Sequence, residues 1–212
     1  ESVAMLNHGT TIVTNAVLEG NLAPTALIVT KGFRDVLEIG RHLRPDMYDL
    51  NQDKPKPIVP RDLRFEVEER MAPDGTVVTP LNAETVTAAI AALKATDVSA
   101  VAVSFLHAYA NPEHEAMVKE ALSKALPDID ITVSTDICRE IREFERTSTV
   151  VLNAAATPVV SRYLEVLKER TSTGRMIYLQ NGGTLGRPKN SNESMSKFMA
   201  KSHRTISNRE YS

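Results

Sequence analysis

The chain has 212 residues, 42% of them hydrophobic and 25% charged, with a formal net charge of -2. That is enough to bury a sizeable core and too little positive charge for a dedicated nucleic-acid surface. One cysteine excludes an internal disulfide framework. With no apolar run near the roughly 18–20 residues that span a bilayer, and no signal peptide, this points to the cytoplasm.

Taken in chain order, residues 11–19 place Ile12, Val13, Ala16 and Val17 on one helical face, and Gly20 supplies the stop. Residues 26–30 are a continuous apolar run of strand length, as a buried strand requires. Phe33, Val36 and Leu37 follow at helical spacing and Gly40 ends that short helix. The prolines of 54–60 remove backbone donors and restrict their neighbours, so this stretch is a connector. Residues 64–71 alternate Phe65 and Val67 against Glu66 and Glu68. With Pro73-Asp74-Gly75 turning the chain into 76–79, this predicts a β-hairpin with one wet face.

Asn82 is placed to cap a helix whose stripe is Val86, Ala89, Ile90 and Leu93, with Leu81 stapled to Val86. Residues 98–105 read as a second buried strand. Asn111 and Pro112 open a helix with Val118, Ala121, Leu122 and Ala125 inward, Pro127 closes it, and 129–133 make a third strand. Residues 137–155 predict a long helix, Thr157 and Pro158 a restart running to 170, and 176–180 a last strand leading into Asn181-Gly182-Gly183. The repeated strand-helix order implies an α/β sheet with right-handed crossovers.

Both ends look unlike those of a complete fold. Residue 1 is Glu, and 3–6 read as a strand already under way. Residues 187–212 carry six basic side chains against two acidic ones and few apolar groups, which predicts a disordered or unrelated tail after a domain over 1–186.

Four groupings carry candidate chemistry. His8-Gly9-Thr10-Thr11 precedes a helix start, where backbone N–H groups and hydroxyls suit an anion or a polar ligand edge; Thr10 or Thr11 can equally cap the helix. Glu145, Thr149 and Asn153, four apart, share one helical face with Arg142 and Arg146 on the next, which fits either a polar cleft or a solvated face with ion pairs. Arg41, His42 and Arg44 offer forks for a carboxylate or phosphate. Asn181-Gly182-Gly183 is either an anion-binding nest or a turn. The histidines at 8, 42, 107, 114 and 203 show no zinc spacing, Cys138 has no evident base beside it, and neither a Walker loop nor Gly-x-Gly-x-x-Gly occurs. No metal site is expected.

The ordered segments HGTTIVTNAVLEGN (8–21), TALIVTKGFRDVLEIGRHLRPDMYDL (25–50), VPRDLRFEVEERM (59–71), VAVSFLHAYANPEHE (101–115) and IREFERTSTVVLNAAATPVVSRYL (141–164) resemble the N-terminal region of the hydantoinase A/5-oxoprolinase family. The resemblance implies the actin, sugar kinase and heat-shock ATPase type of fold (ribonuclease H-like), incomplete here and with a β-hairpin insertion. It also implies an ATP- and Mg²⁺-dependent enzyme that phosphorylates a lactam or imide oxygen so that water can open the ring, working with a hydantoinase B-type subunit or domain. Carried onto this chain, it makes Thr10 and Glu145 catalytic candidates. His8, Gly9, Thr11, Asn15, Arg41, Arg146, Thr149, Asn153, Asn181, Gly182 and Gly183 become substrate- or nucleotide-binding candidates. The family's Asp-x-Gly-Gly-Thr loop and second half are absent, and Gln180-Asn181-Gly182-Gly183 is one residue short of Gln-Ser-Asn-Gly-Gly. The chain alone is therefore expected to bind no cofactor tightly and to lack ATPase activity. The alternatives are a catalytically silent interaction domain or truncated product, and the ATP-activating subunit of an acetone or acetophenone carboxylase-type enzyme.

Overall fold

The computed structural model describes residues 6–41, 56–170, 176–180 and 183–184; His42, Arg44, Asn181, Gly182 and the tail over 187–212 lie outside them. The chain divides into two compact units, one formed by Glu1–Ala23 with Ala155–Ser212 and the other by Pro24–Ala154.

The larger unit is built on four parallel strands: β2 (Thr25–Thr30), β3 (Arg64–Val67), β6 (Ala100–Ser104) and β7 (Asp130–Val133), in the order β3-β2-β6-β7. β2 and β6 are buried along their whole length and sit at the centre. That placement accounts for their unbroken apolar sequences, since a parallel strand covered on both faces has no wet side. Period-two alternation divides their side chains between two cores. Ala26, Ile28, Val101 and Val103 face α3 (Ala83–Lys94) and α4 (Glu113–Ala125) with Val86, Leu93, Val118 and Leu122. Leu27, Val29, Ala100 and Ala102 face Val150, Val151 and Ala154 of α6 (Glu143–Arg170).

Local signals set the ends of these helices. The Asn82 side chain accepts the Glu84 N–H at 2.9 Å, and Asn111 accepts that of Glu113 at 3.0 Å, each cap being worth about 1 kcal/mol. The Asp35–Arg61 ion pair ties α2 (Val36–Ile39) to the 3-10 turn Arg61–Leu63 before β3, and that contact with Arg61 holds the Asp35 carboxyl below its ordinary range.

The hairpin departs from the sequence reading. Residues 64–71 do not form one strand: 64–67 enter the parallel sheet beside β2, and only β4 (Arg70–Met71) turns back on β5 (Val77–Thr79). Alternation signalled a half-exposed strand correctly but could not separate a sheet edge from a hairpin arm. Val77 and Val78, which point to opposite faces of β5, are both exposed, so this strand is not wet on one face alone.

In the smaller unit, β1 (Leu6–Thr10) pairs in parallel with β8 (Met176–Gln180), and β8 pairs antiparallel with β9 (Gly183–Thr184). Here α1 (Ile12–Glu19) ends at Gly20, left-handed at φ 70°, as the sequence predicts. Val13 packs with Ala156 and Val160 of α6, flanked by Ile12, Leu22 and Leu164.

α6 corrects two expectations. It starts at Glu143, after the short α5 (Ser134–Ile137) and an irregular link, so neither Cys138 nor Arg142 is helical. It then runs without a restart through Pro158. Proline removes a single helical bond; the apolar contacts on both sides of it, and the Ala23 N–H donating to the Ala155 carbonyl at 2.9 Å, keep the axis continuous. Over Glu143–Leu167 this helix also has the length and average apolarity of a membrane span, which a search for unbroken apolar runs does not detect. Val150, Val151, Ala154, Ala156 and Val160 of this stretch are buried in two protein cores, as in a helix packed against protein.

Candidate functional site

His8, Gly9 and Thr10 belong to β1 itself; the loop expected there shrinks to Thr11. Thr11 is the N-cap by position but its side chain makes no capping bond. Thr10 does this instead, its half-buried hydroxyl accepting the Ile12 N–H at 3.2 Å. A hydroxyl that accepts with a lone pair still has its own proton to offer at the start of α1. Thr11 and Asn15 are exposed, and Gly183 pairs in β9.

The second grouping falls in the larger unit and splits into two environments. Glu145 is part-exposed and forms an ion pair with Arg41, not with an arginine of its own helix. Thr149 and Asn153, one and two turns on, are buried, and the Thr149 hydroxyl donates back to the Glu145 carbonyl at 2.7 Å.

Arg146 requires a correction. Expected on a ligand-facing surface beside Arg142, it is 1% exposed. Its guanidinium donates to the Phe105 carbonyl at 2.7 Å and the Glu140 carbonyl at 3.0 Å, and lies 5.5 Å from the centre of the Tyr109 ring. Spacing could assign Arg146 to a face of the helix, but not foresee that this face is covered by the turn after β6. Arg142 precedes the helix with φ 79°.

What the sequence reading missed is the carboxyl-terminal edge of the parallel sheet. From β2 the chain crosses to β3 on one side, and from β6 to β7 on the other, so the topology switches direction between β2 and β6. In open α/β sheets the crevice outside the strand ends at such a point is the usual ligand position. Here the Leu106 N–H donates to the Thr30 hydroxyl at 2.9 Å, and Thr30 donates to Glu69. The other oxygen of Glu69 meets His114 Nδ1 at 2.8 Å. Beside this chain, Glu115 accepts the Phe105 N–H at 2.9 Å, the Ser134 hydroxyl at 2.6 Å and the Thr135 N–H at 2.9 Å. Burial pushes the Glu115 carboxyl upward, against the pull of those three donors. The signal available in the sequence was HAYANPEHE, quoted for its resemblance and given no role. A glutamate next to a histidine on the inward side of a helix start is unusual enough to flag a buried polar network.

Among the described residues no group of three or more His, Cys, Asp or Glu side chains is arranged to hold a metal.

Residues 1–126 match the hydantoinase/oxoprolinase N-terminal region family. An uncharacterized protein of Methanocaldococcus jannaschii is 40% identical over 94% of this chain and 30% of its own length. 5-Oxoprolinase 1 of Arabidopsis thaliana is 30% identical over 87% of this chain and 16% of its own. The crystal structure of the ATP-dependent caprolactamase from Pseudomonas jessenii superposes with a TM-score of 0.80 at 34% identity, covering 86% of this chain and 27% of that one. The chain thus spans less than a third of the length of each of these relatives, and its α/β, ATPase-like fold is shared with the caprolactamase. It belongs to the hydantoinase/oxoprolinase family, in that family's N-terminal region.

Proposed function

We propose that this chain is the N-terminal portion of a cytoplasmic, ATP-dependent cyclic amidohydrolase that opens a lactam ring of the hydantoin or 5-oxoproline kind. The observation that carries this reading is the match to the ATP-dependent caprolactamase, close in both fold and sequence. An unactivated lactam is a poor electrophile. Transfer of a phosphoryl group from ATP to the ring oxygen activates the ring carbon; water adds there, collapse of the adduct breaks the C–N bond with the nitrogen taking up a proton, and a second water hydrolyses the resulting acyl phosphate to carboxylate and inorganic phosphate.

In this reading the start of α1, with His8, Gly9, Thr10, Thr11 and Asn15, serves the phosphate side, together with Asn181, Gly182 and Gly183. Thr10 fits that task because its hydroxyl is already fixed at the helix start and keeps a proton to donate. Glu145 is the second catalytic candidate, oriented by Arg41, while Thr149 and Asn153 lie behind it. Arg146 supports the site from within. The family resemblance implies Mg²⁺ alongside the ATP. A partner subunit of the hydantoinase B type is part of the proposal, supported by a relative named as caprolactamase subunit alpha.

The test is ATP turnover by the full-length protein, with its partner subunit, in the presence of hydantoin, 5-oxoproline or caprolactam. Release of ADP and ring-opened amino acid in step with one of these is the expected result. ADP release indifferent to every ring amide, or ring opening without ATP, overturns the reading.

A further inference from the structure

Three buried ionisable systems converge on two consecutive residues of the turn after β6. Glu115 takes the Phe105 N–H, Arg146 takes the Phe105 carbonyl, and the Glu69–Thr30 pair takes the Leu106 N–H. Burying such groups is costly, and an apolar turn would need none of them. The residue they deliver is His107, half-buried at φ 56°. A left-handed conformation disfavours an L-residue and would suit glycine. Backbone strain of this kind persists where surrounding structure over-determines it, and it gathers at functional positions.

His107 Nδ1 lies 3.3 Å from the Tyr109 hydroxyl, with the rings edge to face, and the Arg146 guanidinium backs the Tyr109 ring. Among the described residues His107 Nε2 has no hydrogen-bond partner. If the tyrosine donates to Nδ1, then Nε2 bears a proton and the phenol oxygen retains a lone pair. If Nδ1 donates, then Nε2 accepts and the phenol proton is released outward. Either tautomer presents one donor and one acceptor. A neutral cyclic amide or imide presents the same complement through its N–H and C=O.

We propose that His107, backed by Tyr109, is a ligand-contacting residue at the switch point between β2 and β6 and binds the amide or imide edge of a small ring. This rests on the cyclic-amide reading above and adds a recognition residue to it. Arg146, Glu115 and Glu69 are positioning residues for this pair.

The test is nuclear magnetic resonance of the histidine and tyrosine rings in the 212-residue chain, titrated separately with hydantoin, 5-oxoproline and ε-caprolactam. A saturable shift of the His107 ring signals by one of the three is expected, with buried His114 unmoved and the affinity at least fivefold weaker in Tyr109→Phe. His107→Gly should leave the melting temperature unchanged or raise it, because the backbone is relieved, while abolishing the response of Tyr109. No saturable shift with any probe, or a shift unaffected by Tyr109→Phe, overturns the inference. So does a fall of several degrees in His107→Gly, which would make the imidazole a structural part. If the full-length protein opens a ring amide with ATP and His107→Gly leaves its kcat/KM intact, this inference fails alone. If His107 binds a ring amide but no ATP-dependent opening occurs, the functional reading fails alone.

Discussion

Glu145 and Arg146 are consecutive in the chain and occupy opposite physical regimes. Glu145 reaches Arg41 across a pair whose side chains are 33% and 40% exposed. Arg146 is enclosed and donates to two backbone carbonyls. The difference shows that residue type and helical spacing do not decide which charge serves structure and which is free for chemistry. Water does: an exposed pair exchanges one solvated state for another, while a buried guanidinium must meet its partners or destabilise the fold.

The largest expected effect follows from that contrast. Arg146→Met keeps much of the volume and removes both charge-assisted bonds, each worth roughly 1.5–3 kcal/mol. Urea unfolding of the chain should show a loss of about 3 kcal/mol or more. A loss under 1 kcal/mol would place Arg146 with Glu145 and erase the distinction.

Glu115→Gln comes next. The amide nitrogen cannot accept, so one of the three donors now on the carboxylate loses its partner, at about 1–3 kcal/mol. The pH dependence sharpens the test. The folded-state pKa of Glu115 is raised above the ordinary 4.5 by burial, so between those two values the native state holds a proton that the unfolded state has released. The wild type's advantage over the variant is therefore largest below pH 4.5 and shrinks as pH rises through the folded-state pKa. An advantage that grows with pH would mean that the three donors outweigh burial.

The fold was legible wherever one element met one environment. The unbroken apolar runs at β2 and β6, the stripes Val86/Ala89/Leu93 and Val118/Leu122, and the Asn82 cap all report local rules that the tertiary structure does not override. Reading failed where one segment met two environments: at 64–71, which leaves the parallel sheet for a hairpin, and at Pro158, which contacts on either side hold inside one helix. Of the site, the Thr10 cap and the Glu145 face could be read from spacing. The network of Thr30, Glu69, His114 and Glu115 could not, because its members come from three separate segments and meet only once the strand order β3-β2-β6-β7 is known.

In the smaller unit, Thr10→Ala tests whether a structural and a catalytic role coexist in one hydroxyl. Loss of the bond from the Ile12 N–H should cost about 1 kcal/mol, while turnover of the full-length protein should fall more than tenfold, which corresponds to over about 1.4 kcal/mol in the transition state. Thr10→Ser keeps the hydroxyl and should restore most of both. If activity falls only in proportion to the fraction unfolded, Thr10 is a cap and nothing more.

The smallest stability effect belongs to the exposed Arg41–Glu145 ion pair. Arg41 and Glu145 are solvated enough for salt to screen them, and a double-mutant cycle with Arg41→Ala and Glu145→Gln should return a coupling of no more than about 1 kcal/mol. That coupling should fall further at high ionic strength. Glu145→Gln should nonetheless lower turnover of the full-length protein by more than tenfold if the carboxylate handles substrate. The size of the stability change is thus the control for the change in rate. A coupling of several kcal/mol that resists salt would show instead that Glu145 is tied into the fold as firmly as Arg146. Its loss of activity would then report unfolding, not chemistry.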